Sequence, residues 1–118
     1  MQQIRTFLIL LLSLIFLPFI TADVKKYPAV AWTSIKNVTD PHVMQIAEFA
    51  VDENNVRSGE NLELMAVVRG ATQVVSGMNY RMVLKATDGT TAKLYMTFVF
   101  EKAWEGYKKL DYFEPLQG

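Results

Sequence analysis

The hydrophobic pattern of this chain changes period once, from the helical repeat of about 3.6 residues to the strand repeat of about 2. No other feature constrains the fold so tightly. Asp40-Pro41 is a helix start, with Asp at the N-cap and Pro at the first helical position. Val43, Ile46, Ala47, Ala50 and Val51 follow at i, i+3, i+4, i+7 and i+8, which predicts one apolar helix face. Gln45, Glu48 and Asp52 fall on the opposite, solvated side. Asn54-Asn55 and Ser58-Gly59 end the helix after about four turns.

Beyond Gly59 the alternation is that of strands. Leu62, Leu64, Ala66 and Val68 make one predicted apolar stripe. Tyr80, Met82, Leu84 and Ala86 make a second, and Leu94, Met96, Phe98 and Phe100 a third. Asp88-Gly89 is a hairpin turn between the last two. Shorter strands are expected over residues 33–38 and 110–114. The predicted architecture is α+β: an antiparallel sheet of four to five strands wrapped around one helix.

The first 22 residues stand outside this pattern. Arg5 is their one charge, and residues 7–17 are apolar except for Ser13. Pro18 and the small pair Thr21-Ala22 then precede Asp23 and Lys25-Lys26. This is the layout of a secretory leader over residues 1–22, followed by one domain over residues 23–118. An uncleaved membrane anchor fits less well, since a run of roughly 14–16 residues falls short of the about 20 that span a bilayer. The expectation is a secreted protein, extracellular or vacuolar, with no membrane contact once the leader is removed. Asn37-Val38-Thr39 is a sequon, which makes Asn37 a candidate glycosylation site in that compartment.

Composition removes most chemistries. Twelve Lys+Arg against twelve Asp+Glu leave no basic surplus for a nucleic acid. With no Cys there is no disulfide, thiolate metal site or thiol nucleophile. His42 is the single histidine, and its place in the first helical turn predicts a solvated neutral ring. Glu48 and Asp52 are spaced as a carboxylate pair, but on the polar face. Gly59, Gly70, Gly77 and Gly89 are too far apart for a phosphate loop. The chain is expected to be no enzyme and to need no cofactor or metal.

Three segments carry apolar side chains where exposed tips belong. Gln73-Val74-Val75-Ser76-Gly77 lies between two strong strands, and Gly77 can supply a positive φ there. The two valines either continue the strands or are presented at the tip. Ala103-Trp104 sits in a turn, with the Trp folded back or presented as an anchor. Tyr27-Pro28-Ala29-Val30-Ala31-Trp32 is an apolar arm. A meander brings the first two to one end of the sheet, and the arm can reach that end. The result is a row of contacts suited to a concave partner.

These residues resemble the plant cystatins. Ile46-Ala47-Glu48-Phe49-Ala50-Val51 through Asn54-Asn55 is similar to that family's helix signature, and residues 73–77 match its Gln-x-Val-x-Gly loop. Trp32 to Asn37, Asp40-Pro41 and Phe113-Glu114-Pro115 also look like plant cystatin segments. The resemblance implies a reversible competitive inhibitor of papain-like cysteine proteases, monomeric, which blocks the cleft without offering a peptide bond. Carried over, the protease-binding residues are Ala29, Val30 and Ala31 of the arm, Gln73, Val74, Val75, Ser76 and Gly77 of the first loop, and Ala103 and Trp104 of the second. Val30-Ala31 replaces the family's usual Gly, Ala103 its usual Pro, and Asn54 its usual aromatic, His or Gln. The rival readings are a non-inhibitory secreted binding module on the same fold and a small secreted enzyme using His42 or Glu48 and Asp52.

Overall fold

The computed structural model describes residues 31–116. Its elements are β1 (Thr33–Ser34), α1 (Pro41–Ser58), β2 (Glu63–Val75), β3 (Gly77–Thr87), β4 (Ala92–Lys102), a 3₁₀ turn (Ala103–Glu105) and β5 (Tyr107–Pro115). The strands form one antiparallel sheet in chain order, and α1 lies across its inner face. The leader expected over residues 1–22, and arm residues Ala29 and Val30, lie outside the described residues.

Asp40 begins the helix by accepting the backbone N–H groups of His42 at 2.9 Å and Val43 at 3.4 Å. Its five expected apolar positions are all buried, with Ile46, Ala47 and Ala50 fully so. Gln45, Glu48 and Asp52 are exposed. The helix runs through the Asn pair to Ser58, 18 residues in all, and Gly59 ends it at φ +78. Asn54 is buried and donates to Glu60 at 3.1 Å. Asn55 holds both backbone groups of Leu62, its Oδ1 accepting the N–H at 3.0 Å and its Nδ2 donating to the C=O at 2.9 Å. The two amides therefore pin the link into β2 and leave the stop to Gly59.

Tyr80, Met82, Leu84 and Ala86 of β3 pack under the helix as predicted. The stripe on β4 is the opposite of the predicted one. Tyr95, Thr97, Val99 and Glu101 face inward and are buried, while Leu94, Met96, Phe98 and Phe100 face outward. Register dictates this, because directly opposed residues of an antiparallel pair share a face. Leu84, Met82 and Tyr80 oppose Tyr95, Thr97 and Val99. Buried Thr97 donates its hydroxyl to the Met82 carbonyl at 3.3 Å. Outside, Phe98 lies between Trp32 and Tyr112, at ring distances of 6.4 and 5.6 Å, and the Arg81 guanidinium covers Trp32 at 4.3 Å.

The β2 stripe is also corrected. Register shifts insert Met65 and Val68 as extra residues, so Val67 is buried while Ala66 and Val68 are exposed. The first strand keeps only Thr33 and Ser34 of the expected residues 33–38, plus one bond from the Ile35 N–H to the Gly70 carbonyl. Residues after it turn into the helix cap, where Asn37 Oδ1 accepts from the Thr39 N–H and hydroxyl. The last strand is longer than the expected residues 110–114, starting at Tyr107. The Asp88-Gly89 turn forms as predicted, with Asp88 Oδ1 accepting the N–H groups of Thr90 and Thr91 at 2.8 Å each.

Candidate functional site

The β2–β3 hairpin stays paired to its tip. Gln73 opposes Asn79, Val74 opposes Met78 and Val75 opposes Gly77, so Ser76 alone lies between the strands. The Asn79 amide donates to Gln73 Oε1 at 3.0 Å, a side-chain rung just below the tip. Both readings of the valines therefore hold: they continue the ladder and are still presented, Val74 being 64% and Val75 40% exposed.

Gly77 has φ +141, a backbone state that a side chain rarely adopts. The neighbouring strand also leaves it no room. A Cβ there would lie 2.6 Å from the Glu101 carbonyl oxygen and 2.7 Å from Phe100 Cζ. Gly77 is thus required twice, once by its dihedral and once by the close approach of β4.

The second turn rises from β4 beside this contact. Ala103, Trp104 and Glu105 form a single 3₁₀ turn, closed by the Gly106 N–H on the Ala103 carbonyl at 3.1 Å. Trp104 is presented rather than folded back, with 70% of its surface exposed. A concavity between the two turns is lined by Val74, Val75, Gly77, Ala103 and Trp104, and its floor by His42, Tyr80 and Glu101. The first loop and the Trp turn are brought together at one end of the sheet. Ala31, the described end of the arm, is exposed.

The floor corrects the expectation for His42. Its Nε2 lies 2.7 Å from Glu101 Oε1, so the ring is engaged rather than simply solvated. Glu101 is 5% exposed, and the Tyr80 hydroxyl donates to the same Oε1 at 3.4 Å. Burial, and then the Glu101 charge, push the Tyr80 phenol up to about 12. Sequence reasoning missed Glu101 because it assigned β4 the wrong inward face. The phase of Tyr80, carried across the hairpin, would have placed Glu101 inside.

No group of three or more His, Cys, Asp or Glu able to hold a metal occurs among the described residues. No described helix is long and apolar enough to cross a membrane. The site as built has shape and apolar surface, with His42, Tyr80 and Glu101 lining the same concavity.

Known proteins are similar to this chain over most of the described residues. A protein-family model described as "SQAPI: Aspartic acid proteinase inhibitor" matches residues 35–116. "Cysteine proteinase inhibitor 5" of Arabidopsis thaliana is 49% identical over 85 residues, covering 71% of this chain and 70% of the relative. "Cysteine proteinase inhibitor 1" of Actinidia chinensis var. chinensis is 38% identical over 92 residues, 78% of this chain and 79% of the relative. The crystal structure of a salivary cystatin from the soft tick Ornithodoros moubata shares the fold at a TM-score of 0.66 and 16% identity, covering 76% of this chain and all of that one. The solution structure of the squash aspartic acid proteinase inhibitor aligns at a TM-score of 0.59 and 31% identity, covering 77% of this chain and 98% of that one. By fold, by the paired loops and by these relatives, the chain belongs to the plant cysteine proteinase inhibitors, the cystatin family of plants.

Proposed function

We propose that the chain is a reversible competitive inhibitor of papain-like cysteine proteases, and that the first loop and the Trp104 turn enter the protease cleft together. The observation that carries this is the presentation of Val74, Val75 and Trp104 side by side, on turns already held by hairpin pairing and by the Gly77 contact. A preformed surface of that kind loses little conformational freedom on binding, which is how standard-sized protease–inhibitor contacts become tight. Ala29, Val30 and Ala31 would extend the contact along the cleft, and the inhibitor would act as a monomer. Secretion after removal of residues 1–22, and a glycan at Asn37, belong to the same reading. The sequon side chain is exposed, in the turn before α1.

The test is inhibition of papain by the chain lacking residues 1–22, beside a variant with residues 73–77 replaced by alanine and glycine. Tight competitive inhibition that disappears in the variant is the expected result. A folded protein with no inhibition at micromolar concentration would move the reading to the non-inhibitory binding module.

A second reading has its own support. The family model's description and the squash relative both name aspartic acid proteinases. A parallel assay against pepsin separates the two, and the papain-directed reading expects pepsin to remain active.

A further inference from the structure

The concavity between the two turns has a charged floor that contact with a protease does not explain. A carboxylate is kept buried only where partners hold it. Glu101 has two, His42 from the first turn of α1 and Tyr80 from β3, both on one oxygen. Its position is as specific as its partners. Glu101 opposes Met78, the residue after Gly77, and stands two residues before Ala103. Its carbonyl is the surface on which Gly77 rests. The backbone of Glu101 therefore seats the first turn, the chain leaving it forms the second, and its side chain is anchored to the helix.

From this we infer that His42 and Glu101 are positioning residues for the inhibitory edge: their pair sets how the Val74-Val75 tip and Trp104 stand relative to each other, and its hold tightens in acid. This rests on the function proposed above. His42 is 46% exposed, so protons from solvent reach it. Histidine is the side chain that ordinarily changes charge between about pH 5 and 8. A protonated imidazole adds the attraction of opposite charges to a hydrogen bond that the carboxylate already strengthens. The groups facing the pair are Tyr80 from β3, Lys108 of β5 opposite Glu101, and Asp40 at the cap of α1. Asp40 is already engaged by the His42 and Val43 N–H groups.

The experiment uses the full chain expressed in a plant-cell host, with His42→Gln, a neutral donor, and His42→Phe, a ring without one. The first readout needs no protease: acrylamide quenching of Trp104 in a Trp32→Phe background, between about pH 5 and 8. Trp104 of the parent is expected to become more uniformly shielded as pH falls, and that change is expected to vanish in His42→Gln. The second is the ratio of papain inhibition constants, His42→Phe over parent, which cancels the protease's own titration. It is expected to reach about tenfold near pH 5.5 and to shrink near pH 7.5. Far-ultraviolet circular dichroism identifies folded variants, and if His42→Phe does not fold, His42→Gln decides. A pH-independent ratio, or a quenching change of equal size in His42→Gln, overturns the proposal. A chain that fails to inhibit but shows the quenching behaviour refutes the inhibitory function and leaves the positioning role standing.

Discussion

Gly77 and Phe100 are in closer contact than any side chain on Gly77 would permit. The ring carbon Phe100 Cζ lies 2.7 Å from where a Cβ on Gly77 would be, and the φ of +141 adds its own penalty. Gly77→Ala must therefore push the hairpin tip off β4 or displace the ring. The expected cost is about 1–3 kcal/mol of stability, with a larger proportional loss of inhibition because the displaced segment is the first loop. Thermal unfolding beside papain inhibition checks this, and a variant that inhibits like the parent would show that the tip geometry is not needed.

Trp104 predicts the reverse balance. Its side chain is exposed, so Trp104→Ala should leave the melting temperature within about a degree or two, as for other surface changes. Inhibition should weaken by about 2 kcal/mol or more if the ring is a buried anchor in the complex. The dissociation rate is the quantity to follow, since interface truncations act mostly there.

Ala103 opens the 3₁₀ turn, a position where proline's fixed φ suits a helical start. Ala103→Pro is expected to stabilise the turn by about 0.4–1 kcal/mol through the unfolded state. The same change should slow dissociation from papain, because the turn enters the complex already ordered. A drop in melting temperature would mean that the Ala103 backbone does not fit a proline.

Tyr80 ties stability to alkaline pH. The protonated phenol is neutral, and burial beside Glu101 favours it, so the native pKa is pushed up to about 12 against about 10 for a free tyrosine. This contribution is complete below about pH 10 and is lost as pH rises through about 12. Urea midpoints measured across that range should fall less steeply for Tyr80→Phe than for the parent. Parallel slopes would mean the phenol titrates alike in both states.

Asp40 caps α1 with a single oxygen, and Asp40→Ala should cost about 0.5–2 kcal/mol. Asp40→Asn should recover most of it, since an amide oxygen can accept the same N–H groups. Both are read from denaturant midpoints.

α1 and β3 are legible in the sequence because the residues that pack inward in each keep one phase from end to end. The loops were legible for a related reason: Val74, Val75 and Trp104 are out of place in turns, and Gly77 stands where a reversal is needed. β4 was misread because both its faces carry large side chains. Phe98 and Phe100 outweigh Thr97 and Glu101 on any hydrophobic scale, yet the pairing with β3 turns the polar pair inward. Alternation within one strand cannot show this, and register across two can. His42 was placed with the solvent because its partner lies 59 residues away.

Among the described residues β1 pairs with Ala71 and Thr72 of β2 and the Ile35 N–H reaches the Gly70 carbonyl, so the stretch of β2 before Gly70 is a rim with no strand on its outer side. Such a rim is a template onto which a strand of another copy can add. Met65 and Val68, the two inserted residues, fall on that stretch and interrupt its regular spacing. Deleting either is expected to straighten the rim and favour strand addition between copies, which size-exclusion chromatography would read. The irregularities that hide the inward side of β2 also break the regular edge that such strand addition needs.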